Sequence, residues 1–85
     1  MALAPEDRNY LEFLIGEMSE LSQRYLMSDE EEIFHLLLET RDEFEFFMHK
    51  YSFEVQADEK YAEYKIKLFI PYNLIELVEH RKASQ

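Results

Sequence analysis

Three histidines and a large number of carboxylates are the side chains of this sequence that could do chemistry. His35, His49 and His80 stand among 19 Asp and Glu residues. Glu32 and His35 have the Glu-x-x-His spacing found in di-iron carboxylate bundles, but such a site needs a second copy of the motif and two further inward carboxylates. The sequence does not repeat that spacing, so we expect no metal site and no cofactor.

The same histidines and carboxylates leave general acid–base catalysis formally open, but no motif supports it. There is no Gly-rich phosphate loop and no nucleophile elbow. The absence of cysteine excludes a thiolate nucleophile, a zinc–sulfur site and a disulfide framework. A chain of 85 residues also has little volume for a substrate cavity. We expect a protein that is not an enzyme and has no catalytic residues.

The net charge of −10 restricts the classes of partner. Nucleic acids and anionic lipids are bound by clustered Lys and Arg, so we expect neither direct nucleic-acid binding nor membrane binding. No apolar run approaches the ~20 residues of a membrane span. The N-terminus lacks the basic and apolar regions of a secretory signal, and we expect a cytoplasmic protein.

Two amphipathic helices are predicted in the first half of the chain. The first spans about residues 5–27, with Pro5 at its first turn, and the second spans about 29–51. Ser28-Asp29-Glu30-Glu31 has the pattern of a capping box, and the short gap predicts an antiparallel helical hairpin. Gly16, off the apolar stripe of the first helix, is either a tolerated helix glycine or a point of close approach by another element. The apolar stripes, at helical spacing, are Leu11, Leu14, Ile15, Met18, Leu21 and Tyr25 in the first helix, and Ile33, Leu37, Phe44, Met48 and Tyr51 in the second.

A β-hairpin is predicted next, because apolar and polar residues alternate on both sides of Asp58-Glu59-Lys60. The strands cover about 52–57 and 61–70, although alternation from Phe47 onwards leaves open an earlier strand start. Pro71 would end the second strand, and Asn73 would cap a short helix over about 73–82. The predicted fold is therefore a single α+β domain over residues 1–85, with the order α-α-β-β-α.

The second helix is the most acidic segment, with eight acids and two bases over residues 29–51. At 100° per residue its carboxylates project away from the apolar stripe and form a face roughly 20 Å long. Leu38 and Phe46 point into that face. Either these two residues are exposed, as a hot spot with a polar surround, or another element covers them. The candidate partner-binding residues are Glu31, Glu32, Leu38, Glu39, Asp42, Glu43, Glu45 and Phe46.

These features predict a small, acidic, non-catalytic interaction module, such as a regulator, adaptor or inhibitor of a basic protein partner. It would be steered electrostatically and would then bury its apolar residues. A narrower form of this hypothesis is nucleic-acid mimicry, in which the carboxylates occupy a basic groove. The alternative is an assembly subunit that acts through homo-oligomerisation, using the hairpin edges or spare apolar surface on the two helices.

Overall fold

Three long helices make up the fold in the computed structural model, which describes residues 3–84. Helix α1 spans Pro5–Ser28, α2 spans Glu31–Gln56 and α3 spans Tyr61–Ala83. α2 runs antiparallel to α1, and α3 runs parallel to α1, so that Lys82 near the end of α3 meets Glu31 at the start of α2 (2.9 Å). The result is an up-down-up bundle of 45 × 21 × 19 Å.

The predicted β-hairpin, and with it the α+β class, is wrong. Residues 52–56 continue α2, residues 61–70 begin α3, and no strand occurs within residues 3–84. The protein is all-α with three helices, and the predicted short helix over 73–82 is the second half of α3.

The alternating pattern misled because part of it also fits a helix. Tyr64, Pro71, Ile75 and Val78 are buried, and Leu68 is partly buried, which is the spacing of one helical face. Ile66, which alternation places on the same side as Tyr64, is 74% exposed instead. A third helix also packs along α1 and meets α2 at a few points, whereas an isolated two-stranded hairpin is marginally stable.

Two irregular positions lie where the sequence suggests element ends. Tyr51 has non-helical angles (φ −119°, ψ 27°) and marks a kink within α2. Pro71 lies inside α3 and has no N–H to donate to the Lys67 carbonyl, yet the helix continues through it. Asn73 is not a cap, because its side-chain Nδ2 donates to the Phe69 carbonyl (2.6 Å) one turn back.

The turn between α1 and α2 does not use the predicted capping box. Asp29 has a left-handed conformation (φ 57°), and its N–H donates to the Tyr25 carbonyl (2.8 Å), which ends α1. Glu30 is the residue before α2 and makes no side-chain cap. Ser28 belongs to α1, where its hydroxyl donates to the Arg24 carbonyl (2.8 Å).

The turn between α2 and α3 is fixed by Asp58. Its Oδ1 accepts the Lys60 backbone N–H (2.9 Å), the pattern of an Asx turn. Its Oδ2 accepts Nη2 (2.8 Å) and Nε (3.1 Å) of Arg8 on α1. The turn predicted at 58–60 is therefore present, but it joins two helices rather than two strands.

The core lies between α1 and the inner faces of α2 and α3. Its most buried large side chains are Leu11, Leu14, Ile15, Met18, Phe34, Leu37 and Val55. Gly16 is outside this core, and a Cβ added there would meet nothing within 4 Å. It is therefore a tolerated helix glycine rather than a point of close approach.

Across residues 3–84, none of the helices combines the length and apolar character needed to cross a membrane. In that same part of the chain, no three His, Asp or Glu side chains are grouped so as to hold a metal ion. Glu32 and His35, the residues of the Glu-x-x-His motif, are both exposed near the start of α2.

Candidate functional site

An open groove of about 520 Å³ runs between the first half of α1 and the second half of α2. Aromatic rings form its floor and one wall, and acidic side chains stand around them. The lining residues are Asp7, Tyr10, Asp42, Glu43, Phe46, Phe47, Lys50 and Tyr51. We call this feature the acidic aromatic groove.

The floor of the groove is a row of three rings held by the helix packing. Phe47 is a core residue, only 5% exposed, and its ring lies 4.7 Å from that of Tyr51 and 6.0 Å from that of Tyr10. Tyr10 comes from α1, so the packing of α1 on α2 assembles the row. A preformed row of this kind loses little conformational freedom when a ligand binds.

Phe46 forms the outer wall and is 75% exposed. It lies on the side of α2 opposite the core, since 100° per residue places it across the helix from Ile33, Leu37 and Phe44. A phenylalanine that is this exposed and surrounded by carboxylates contributes little to the stability of the fold. It is available to a partner.

Carboxylates give the groove a negative electrostatic potential. The Tyr10 hydroxyl donates to Glu43 Oε2 (3.4 Å). Burial raises the pKa of Tyr10, and the Glu43 carboxylate raises it further, so Tyr10 keeps its proton around neutral pH. Asp7 and Asp42 stand at the two sides of the same groove.

Lys50 is the single base among the lining residues. Its Nζ lies 5.3 Å from the centre of the Tyr51 ring, within the range of a cation–π interaction. The groove therefore already holds one ammonium group against an aromatic face.

The structure divides the predicted partner-binding residues into two groups. Glu32, Glu39, Asp42, Glu43 and Phe46 are exposed on the outer side of α2. Of these, Asp42, Glu43 and Phe46 line the acidic aromatic groove. Asp42 also pairs with Arg41 (3.2 Å).

Glu31, Leu38 and Glu45 belong instead to the side of α2 that meets α3. Glu31 pairs with Lys82 (2.9 Å), and this hydrogen-bonded partner lowers the pKa of Glu31. Glu45 accepts the Tyr72 hydroxyl (3.2 Å). Leu38 is half-buried and packs against the core. Glu31 and Glu45 therefore contact α3, but their side chains stay 60% and 56% exposed.

Sequence reasoning missed the contributions of α1 and of the kinked part of α2. Tyr10 lies off the apolar stripe of α1, and Tyr51 was assigned to the end of the helix stripe or to a strand. The available signal is the pair of aromatic residues Phe46 and Phe53 on one outer stripe, seven residues apart. The alternating pattern of residues 52–57 predicts a strand there, and a strand would break the helical stripe that joins Phe46 to Phe53.

The combination of rings and carboxylates suits a cation. An Arg or Lys side chain could lie over the row of rings while its charged group meets Glu43, Asp42 or Asp7. Arg fits best, because its planar guanidinium both stacks on aromatic faces and pairs with carboxylates. The groove offers no Ser, Cys or His to act as nucleophile or base.

Comparison with protein-family models, with curated proteins and with solved structures found no match for this chain.

Proposed function

We propose that this protein is a small, cytoplasmic, non-catalytic interaction module that binds a basic segment of a partner protein through the acidic aromatic groove. The observation that carries the proposal is the exposure of Phe46 beside a preformed row of rings and a set of carboxylates. Binding hot spots are commonly large aromatic side chains whose surrounding contacts exclude water once the partner is bound.

The proposed mechanism has two steps. The net charge of −10 steers a basic segment towards the protein and raises the association rate. A partner Arg or Lys then lies over the row of rings, while an apolar partner residue covers Phe46. The exposed phenylalanine favours a protein partner with mixed basic and apolar character, because steering alone would need only carboxylates.

The test uses a peptide of alternating Arg and Leu with a fluorescent label, and binding is followed by anisotropy. The matched control peptide has citrulline at every Arg position, which keeps the shape and removes the charge. We expect the Arg peptide to bind, the citrulline peptide to bind at least tenfold more weakly, and the affinity of the Arg peptide to fall as salt is added.

Two variants locate the binding site. Phe46→Ala should weaken the Arg peptide at least tenfold, about 1.4 kcal/mol, whereas Phe13→Ala, another exposed phenylalanine, should leave the affinity unchanged. Lys50→Gln should strengthen binding, because it removes the groove's own cation. Equal affinities for the two peptides, or equal losses in the two Phe variants, would contradict the proposal.

A further inference from the structure

α3 has a second apolar face on the side that points away from the bundle. Tyr64, Pro71 and Val78 face the core, and the opposite side of the helix is also apolar and exposed. Ile66 is 74% exposed and Phe69 is 67% exposed. The face consists of Ala62, Ile66, Phe69, Ile70, Asn73 and Leu77, all exposed, and we call it the outer α3 face.

The outer α3 face is too long to be incidental. From Ala62 to Leu77 it extends about 22 Å at 1.5 Å per residue. A helix that is apolar on both sides is normally covered on both sides. The exposed groups also form one stripe, whereas isolated surface apolar residues need no explanation.

The charge distribution indicates that the covering element can be a second copy of this chain. Residues 61–83 contain four Lys or Arg and three Glu, whereas α2 contains seven acids and two bases. Two copies of a protein with net charge −10 repel each other most where their α2 helices approach. Contact through α3 brings together the nearly neutral sides and keeps both acidic aromatic grooves outside.

The charges at the edges of the outer α3 face specify the orientation. Lys65 and Glu76 lie along one edge, and Glu63 and Arg81 lie along the other, at 100° per residue. A two-fold axis perpendicular to the helix brings each edge against the same edge of the second copy in reverse direction. Lys65 then meets Glu76 of the second copy. A parallel pair would instead bring the two different edges together, with Lys65 beside Glu63 of the second copy but with Glu76 and Arg81 of the second copy about 7.5 Å apart along the axis.

The same antiparallel register fits the apolar residues and the second edge. With Lys65 opposite Glu76, Ile66 lies within about 3 Å of Leu77 of the second copy along the helix axis, and Ile70 lies near the two-fold axis. Glu63 lies near Arg81 of the second copy. Within residues 3–84, Lys65, Glu76 and Arg81 make no ion pair of their own, whereas Glu63 pairs with Lys67 (3.3 Å).

We infer that the outer α3 face is the interface of an antiparallel homodimer with two-fold symmetry. A contact between two helices of this length is smaller than a standard interface of ~1,600 Å². We therefore expect a weak dimer that dissociates on dilution. The inference does not depend on the acidic aromatic groove, since no residue of α3 lines that groove.

Sedimentation equilibrium over a range of concentrations tests the dimer, and circular dichroism shows that each variant is folded. We expect wild type to pass from monomer to dimer, and Ile66→Glu or Phe69→Glu to remain monomeric with unchanged helical content. Phe13→Glu, on the exposed side of α1, is the matched control and should dimerise like wild type. A monomer at every concentration, or a dimer that both α3 variants retain, would overturn the inference.

Charge exchange and cross-linking test the orientation. Lys65→Glu and Glu76→Lys should each weaken the dimer, and the two changes in one chain should restore it. The chain has no cysteine, so Lys65→Cys with Glu76→Cys gives two defined thiols, which a short bismaleimide should join between copies. Lys65→Cys alone should not be joined, because antiparallel copies hold these residues roughly 17 Å apart along the helix. Efficient cross-linking of Lys65→Cys alone would show a parallel pair and overturn the orientation.

Discussion

At the scale of single residues, Phe46 and Phe47 show how one step along a helix separates binding from folding. Both are phenylalanines on α2, yet Phe46 is 75% exposed and Phe47 is 5% exposed. The outward direction of Phe46 follows from helical geometry, but the sequence leaves open whether another element covers it. The ring row of Tyr10, Phe47 and Tyr51 could not be predicted, because it requires knowing which face of α1 packs beside the kinked part of α2.

The two phenylalanines give a matched pair of substitutions. Phe47→Ala should lower the free energy of unfolding by about 3–5 kcal/mol, the usual effect of removing a buried aromatic ring. Phe46→Ala should change it by less than about 0.5 kcal/mol. Urea unfolding of both variants measures these differences. A large loss in Phe46→Ala would mean that its ring supports the fold, and the hot-spot interpretation would be wrong.

Gly16 gives a second prediction at this scale. It is exposed in the middle of α1, with no atom within 4 Å of the position of a Cβ. Gly16→Ala should therefore stabilise the protein by about 0.5–1 kcal/mol, because alanine loses less backbone entropy in a helix. Thermal unfolding measures the gain. Gly16→Pro is the opposing control and should cost about 3 kcal/mol or more. No gain in Gly16→Ala would contradict the interpretation of Gly16 as a tolerated helix glycine.

At the scale of the elements, the helices were predictable where the spacing of apolar residues fits a helix and does not also fit a strand. α1 and the first sixteen residues of α2 belong to that class. Residues 52–70 do not, because Val55, Tyr64 and Leu68 fit a strand and a helix equally well. Local pattern could not decide between them. Packing decides in favour of the helix, because a helix over residues 61–83 buries Tyr64, Ile75 and Val78 in the core of the bundle.

Asp58 holds the α2–α3 turn against α1, and its titration makes the junction sensitive to acid. Its side chain is 1% exposed and bonded to Arg8. The Lys60 backbone N–H lowers the pKa of Asp58, and Arg8 lowers it further. A carboxyl whose pKa is lower in the folded protein stabilises the fold above its unfolded pKa, about 3.9. That stabilisation is lost as the pH falls through the lower, folded value.

Asp58→Ala should therefore destabilise the protein by about 1–3 kcal/mol at pH 7, with a smaller effect at pH 2. Glu59→Ala, an exposed acid in the same turn, is the control and should have little effect at either pH. Urea unfolding at the two pH values gives both differences. If Asp58→Ala destabilised the protein equally at both pH values, the charge of the Asp58 carboxylate would not be the source of its stabilising effect.

At the scale of the whole molecule, the fold separates two surfaces of different character. The outer side of α2 carries Phe46 among the carboxylates of Glu32, Glu39, Asp42 and Glu43, whereas α3 is nearly neutral and apolar on its outer side. The acidity of α2 was evident from the sequence. The outer α3 face was not evident, because the alternating pattern of residues 61–70 predicts a strand in which Ile66 and Ile70 would be buried. Recognising α3 as a helix changes these residues from core to surface.

The most direct test of the account is a nuclear magnetic resonance titration of the isotope-labelled protein with the Arg–Leu peptide. We predict that the peptide shifts the signals of Tyr10, Asp42, Glu43, Phe46, Phe47 and Tyr51, while those of Ile66, Phe69 and Leu77 stay in place. That result would locate binding of a basic segment in the acidic aromatic groove. Shifts confined to α3, or no shifts at peptide concentrations that saturate the anisotropy signal, would contradict the proposed function.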